Sequence, residues 1–165
     1  MKKKNFLIIM LIFGLFLCVN SVQAVHYVKF TNSVDHREIR WNGGTAYRDQ
    51  LNAAIATWNA LGRINIAPDN IMTIEDLRIL DVNRRDVDWS GIYFWSAVSA
   101  DSVAFNRAFL VDAVNVHRQS IITHELGHAL GLDHSIRGNV MASDPFNQVR
   151  LGPQDISDYR FLWGN

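Results

Sequence analysis

The run from His124 to His134, which reads HELGHALGLDH, contains most of the residues in this sequence that could perform chemistry. Residues four apart on a helix project from one face, so we expect the imidazoles of His124 and His128 to point toward a common position. Gly131 follows where the helix should end, and a glycine there can take the left-handed conformation that turns the chain back. That turn predicts His134 as a third ligand of the same metal ion.

The residue types in this run predict a catalytic zinc site. Three neutral imidazoles leave the fourth tetrahedral position open for water, which is typical of catalytic rather than structural zinc. Glu125 lies beside the ligands and is predicted to be the general base that takes a proton from the attacking water. A lone His-Glu-x-x-His pair is a weak signal, but the added glycine, the third histidine and a downstream Met141 make the pattern specific. Leu126, Ala129 and Leu130 are interpreted as core contacts.

The motif together with Met141 resembles the metzincin clan of zinc endopeptidases, in which a methionine turn follows the third histidine. Within the clan the sequence is most similar to the matrixins. Ser135 follows the third histidine, as in matrixins, and Ser143 stands where astacins and serralysins carry a tyrosine ligand. The segment from Leu151 to Gly164 also resembles the last matrixin helix. This resemblance implies a small secreted zinc endopeptidase of the bacterial type, with the ligands and base named above.

The start of the chain is predicted to be a signal peptide. Lys2, Lys3 and Lys4 precede an apolar run at residues 6–19, and Ala24 supplies a small residue at the cleavage position. An uncleaved membrane anchor is the alternative, but the apolar run is short for a spanning helix. We therefore expect residues 1–24 to be removed and residues 25–165 to form one secreted, extracellular catalytic domain.

The net charge of the predicted mature chain indicates which partners it binds, and its cysteine content indicates whether it contains disulfides. Loss of the three N-terminal lysines from 16 basic side chains leaves 13 against 16 acidic ones, a formal charge of −3. This balance predicts no nucleic-acid partner and no membrane contact after signal cleavage. The single cysteine, Cys18, lies in the signal segment, so the mature domain is predicted to contain no disulfide. We expect a monomer that acts on protein or peptide substrates.

The order of elements predicts an α/β fold of the zincin or metzincin type, a single domain with a mixed, twisted sheet of about five strands. Strands are expected at residues 26–30, 63–67, 76–82, 91–98 and 102–111. By analogy with matrixins, the last of these is expected to be the sheet edge at which substrate docks as an added antiparallel strand.

Three longer helices are expected to complete the domain. The backing helix is predicted from an N-cap at Thr45 to Leu61, with Leu51, Ala54 or Ile55, and Trp58 facing the core. An Asn115 cap is expected to start the active-site helix, which is predicted over residues 116–130. The C-terminal helix is predicted to begin with Gly152 as N-cap, Pro153 at the first helical position and Asp155 in the first turn.

Other metal sites are weakly indicated. Asp86 and Asp88 lie in a charged loop that could hold calcium, but the regular spacing of oxygen ligands is missing, so a solvated loop is favoured. His26, His36 and His117 are badly placed to supply the four ligands of a structural zinc, so we expect one zinc per chain. His117 is interpreted as a surface residue or as an outer neighbour of the ligands.

The leading functional interpretation is a zinc endopeptidase that hydrolyses extended protein segments. One alternative is a secreted zinc-containing binding or inhibitory module with little turnover. Another is a hydrolase of cell-wall peptides. The intact Glu125 favours an enzyme, because a binding module does not need a carboxylate placed as a base.

Overall fold

The computed structural model describes residues 24–144 and 147–164. The predicted signal peptide up to Gln23 and two residues of the loop after Met141, Pro145 and Phe146, lie outside the described residues. Within the described part, no helix has the length and apolar character needed to cross a membrane.

Five strands form one mixed sheet, in the order β2-β1-β3-β5-β4. Their bounds are β1 Glu38–Gly43, β2 Asn65–Pro68, β3 Leu77–Val82, β4 Gly91–Phe94 and β5 Asp101–Asn106. Strand β1 pairs in parallel with β2 and β3, β3 pairs in parallel with β5, and β4 pairs with β5 in the antiparallel direction. Alternate residues point to the same face of a strand, and those of β1 and β3 enter the core: Ile39, Trp41, Leu77 and Ile79.

The described residues also contain four helices: α1 Arg48–Asn59, α2 Arg107–Leu110, α3 Asn115–Ala129 and α4 Pro153–Trp163. Helix α1 contacts β2, α3 contacts β4 and β5, and the two helices contact each other, so they cover one face of the sheet. The predicted core face of α1 is confirmed, since Leu51, Ala54 and Trp58 are buried. The indole Nε1 of Trp58 donates to the carbonyl of Thr123 at 2.8 Å, which fixes α1 against α3.

The predicted number of strands is confirmed, but one strand was placed wrongly and one was missed. Residues 26–30 form no strand, because Val28 makes only an isolated bridge with Leu132 in the turn after α3. The missed strand is β1, in which charged Glu38 and Arg40 alternate with buried Ile39. This period of two was a readable strand signal.

The predicted edge strand is also wrong. Strand β5 lies between β3 and β4, so it is internal. The edge of the sheet on this side is β4, Gly91–Phe94, and the opposite edge is β2. Strand β5 ends at Asn106, whose side chain accepts the N–H of Ala108 at 3.2 Å and starts the short helix α2. The sequence between Arg107 and Leu110 therefore leaves the sheet instead of extending the strand.

Two predicted helix caps are wrong and one helix start is confirmed. Helix α1 begins after Tyr47 and α3 after Val114, and neither start has a side-chain cap. The Thr45 hydroxyl instead accepts the N–H of Tyr47, at 3.2 Å, in the turn before α1. Helix α4 begins at Pro153 after Gly152 as predicted.

We expect Gly127→Ala to destabilise the domain. Alanine inside a helix normally stabilises it by about 1 kcal/mol relative to glycine. At Gly127, however, an added Cβ would lie 2.2 Å from Sδ of Met141 and 3.0 Å from Cζ2 of Trp58. Overpacking of this kind costs about 1–3 kcal/mol, so the melting temperature should fall by several degrees. Gly44→Ala is the control, because its Cβ would meet only the guanidinium of Arg48. A melting temperature raised by Gly127→Ala would contradict this packing.

Candidate metal centre

Helix α3 places two of the predicted ligands on one buried face. His124 and His128 are both buried, and their ring planes lie nearly perpendicular, at 89°. Nδ1 of His124 lies 2.7 Å from the carbonyl oxygen of Val140, and Nδ1 of His128 lies 2.8 Å from that of Leu132. Each Nδ1–H therefore donates to a carbonyl, which fixes the tautomer and leaves the Nε2 lone pair free to bind a metal.

The turn after α3 delivers the third histidine. Gly131 has φ of 88°, the left-handed conformation that the sequence predicted for this position. Its N–H donates to the carbonyl of His128 at 2.9 Å, which ends the helix. As a result, Nε2 of His134 lies 3.2 Å from Nε2 of His128 and 3.2 Å from Nε2 of His124.

The three histidines fit a zinc ion. Nitrogen atoms bound to tetrahedral zinc at about 2.05 Å are separated by about 3.3 Å, close to the distances between these Nε2 atoms. Burial lowers the pKa of His124 to about 4 and that of His128 to about 3, so both rings are neutral at pH 7, as ligands must be. Among the described residues, this is the one cluster of histidine, cysteine or carboxylate groups with metal-binding geometry.

Glu125 lies between the helix and the sheet edge. Its carboxylate accepts the backbone N–H of Tyr93 in β4, and its side chain helps line a cleft of about 240 Å³ together with the three histidines. Strand β4 passes so close that a Cβ on Gly91 would lie 2.8 Å from Cγ of Glu125. Only a glycine lets the edge strand approach the carboxylate in this way.

The protonation state of Glu125 is set by opposing influences. Burial raises its pKa to about 8, while the N–H of Tyr93 and the ammonium of Lys29 act to lower it. A general base working near neutral pH needs a pKa above the ordinary carboxylate value. A divalent cation at the histidines would lower the pKa again, because it favours the charged carboxylate.

A buried turn containing Met141 supports His124, the first of the predicted ligands. Met141 is fully buried beneath α3, where its sulfur faces Gly127. The carboxylate of Asp155 accepts the N–H groups of Val140 and Met141 at 2.7 and 3.0 Å. Because the carbonyl of Val140 holds the His124 ring, Asp155 connects the start of α4 to His124.

Three residues near the centre were not predicted from the sequence to be part of the site: Lys29, Tyr93 and Asp155. The first two come from segments distant in sequence, and no local motif marks them. Asp155 was predicted only as a first-turn residue of α4. Its buried position next to the methionine turn depends on how α4 packs.

The other residues considered as metal ligands lie elsewhere. His26 pairs with Asp158 at 3.0 Å, and His36 pairs with Asp35 at 2.7 Å. Asp86 accepts two hydrogen bonds from Arg84, which lower its pKa to about 2. This ion pair is consistent with the solvated loop favoured above.

Comparison with known proteins identifies the family. A chain of the GM1-bound form of the ECX AB5 holotoxin superposes with a TM-score of 0.54 at 14% identity, covering 85% of this chain and 86% of that chain. At this identity the likeness shows a shared fold alone. No curated protein matches the sequence. The model of the Peptidase M43 family, described as pregnancy-associated plasma protein-A, matches residues 54–155, a range that includes all three histidines and Glu125. Because this match spans more than half of the chain, the protein belongs to the Peptidase M43 family of metallopeptidases.

Proposed function

We propose that this metallopeptidase is a secreted, zinc-dependent endopeptidase that hydrolyses extended segments of proteins. The proposal depends most on one observation, the convergence of three Nε2 atoms beside a buried carboxylate. The described site also retains the features from which we inferred a metzincin: the left-handed Gly131 and the buried Met141. The family match is to Peptidase M43. The narrower resemblance to matrixins therefore stays a prediction, based on Ser135, Ser143 and the segment from Leu151 to Gly164.

Different residues of the chain have different roles in the proposed reaction. His124, His128 and His134 would hold zinc, which when bound polarises the scissile carbonyl and makes water more acidic. Glu125 is placed to take a proton from the attacking water and to pass it to the leaving amine. The N–H of Tyr93 orients the Glu125 carboxylate toward the cleft.

Strand β4 is the element placed to bind substrate. It is the edge strand next to the three histidines, and Gly91, Ile92 and Tyr93 line the same cleft as they do. An extended peptide added to this edge would place its backbone beside Glu125. Pairing through the backbone binds peptides with little regard to sequence and leaves preference to side-chain pockets.

Two other functions remain as alternatives. A zinc-containing binding or inhibitory module would use the histidines without needing Glu125, yet this carboxylate is buried at the edge strand at a cost in desolvation. A cell-wall peptide hydrolase would use the same chemistry on a different amide. A measurement of turnover distinguishes the proposed endopeptidase from the binding module. The identity of the substrate distinguishes it from the cell-wall peptide hydrolase.

Hydrolysis by protein collected from culture medium tests the proposal. We expect cleavage of an unfolded protein such as casein, abolished by a zinc chelator and restored by added zinc, from a chain whose mass corresponds to a start at Val25. Mass analysis of the products should show internal cleavage. Activity that survives complete zinc removal, or no cleavage of any protein by the zinc-loaded chain, would overturn it. Cleavage of cell-wall peptides alone would support the second alternative.

A further inference from the structure

The N-terminal strap, which we define as residues 27–33, lies across the turn that carries the third histidine. The N–H of Lys29 donates to the carbonyl of Gly131 at 2.7 Å, and the N–H of Asp133 donates to that of Tyr27 at 2.9 Å. One of these bonds is made at the left-handed Gly131 itself, and the other at Asp133, the residue before His134. The strap therefore fixes the backbone from which the third ligand projects.

A side-chain contact strengthens this connection. The ammonium of Lys29 lies 3.2 Å from Oδ1 of Asp133, and the same oxygen accepts the backbone N–H of His134 at 2.8 Å. One carboxylate oxygen thus joins the strap to the third ligand. The two side chains are 42% and 43% exposed, so water weakens the pair without removing it.

The third ligand depends on this support more than the other two. His124 and His128 are buried, and each ring is held through Nδ1 by a backbone carbonyl. His134 is exposed, and the hydrogen-bond contacts described for its ring are those that Nε2 makes with the other two histidines. Its position is therefore set mainly through its backbone.

We propose that Lys29, acting through Asp133, is a positioning residue for the third zinc ligand, and that the N-terminal strap increases zinc affinity. The proposal depends on the zinc site of the proposed function. Lys29 also lines the cleft, where an isolated ammonium would repel a zinc ion. Its pairing with Asp133 leaves the two side chains without net charge, so positioning outweighs repulsion as long as both are present.

Zinc dissociation constants measured by chelator competition test the proposal. We expect Lys29→Met to weaken zinc binding about five-fold, the effect of losing a half-exposed ion pair. Asp133→Asn should weaken it about ten-fold or more, because the Lys29 ammonium then lies beside the zinc site without a charged partner, and the neutral amide holds the N–H of His134 less strongly than the carboxylate does. Lys29→Arg should stay within about two-fold of the original protein. Arg78→Met, which breaks the exposed ion pair of Arg78 with Glu75, is the matched control and should leave zinc affinity unchanged.

The visible spectrum of the cobalt-loaded protein supplies a second readout. A displaced third ligand should change the absorption bands in Lys29→Met but not in Arg78→Met, whereas a general loss of stability would leave the bands of the folded protein unchanged. Zinc binding that is unchanged or tighter in Lys29→Met would overturn the proposal, because repulsion would then equal or exceed positioning. If the original protein binds no zinc, the proposed function itself fails, which is a distinguishable result.

Discussion

Replacement of Glu125 by Gln is expected to lower the turnover number by about 10²–10⁴-fold while zinc stays bound, because general acid–base catalysis contributes about this factor. Glutamine has nearly the same shape, and its amide oxygen can still accept the N–H of Tyr93. It cannot accept a proton from water near neutral pH. The three histidines are untouched, so the metal content should equal that of the original protein.

The measurement compares the turnover number with zinc content by elemental analysis on the same preparation. Glu38→Gln is the matched control, because it makes the same chemical change in a residue whose carboxylate pairs with Arg40 in the first strand. It should leave turnover unchanged. A zinc-loaded Glu125→Gln protein with ordinary activity would show that another group acts as the base.

Replacement of His128 by Ala is expected to remove the metal as well as the activity. Zinc binding by a complete site yields about 10–16 kcal/mol, so the loss of one of three protein ligands should weaken affinity by about 10²–10⁴-fold. The carbonyl of Leu132 would also lose its hydrogen bond from the His128 ring. That loss costs about 1–3 kcal/mol of folding free energy.

Melting curves with and without EDTA separate these two effects. The original protein should melt at a lower temperature in EDTA, because a bound metal stabilises the folded state. The melting temperature of His128→Ala should be low and insensitive to EDTA. His36→Ala, a change at a ring whose side chain is 90% exposed, is the control and should behave like the original protein. Unchanged zinc affinity in His128→Ala would show that the ligand assignment is wrong.

The sequence predicted the components of the site because they are local. His124, Glu125 and His128 lie on one helix, where spacing alone decides which side chains share a face. Gly131 indicated the turn after α3, because few residues other than glycine readily adopt a positive φ. The core face of α1 and the start of α4 were predicted for the same reason, since a helical repeat and a glycine followed by proline are local signals.

The strand order could not be predicted from these signals. An alternating pattern, as in β1 and β3, shows which face of a strand is buried, but it does not say which strands become neighbours. Strand β5 was expected at the edge because it precedes the active-site helix. Its Val103 and Phe105 are fully buried, and pairing with both β3 and β4 makes it internal.

The sequence by itself determined the candidate ligands and the candidate base, because these follow from spacing within a few turns of chain. It also determined the α/β class, because that follows from the order of strands and helices. Only the tertiary structure decided what supports them: Asp155 beneath the methionine turn, β4 beside Glu125, and Lys29 across the turn to His134. These contacts join residues far apart in sequence. Their formation depends on how helices and strands pack, which no local pattern specifies.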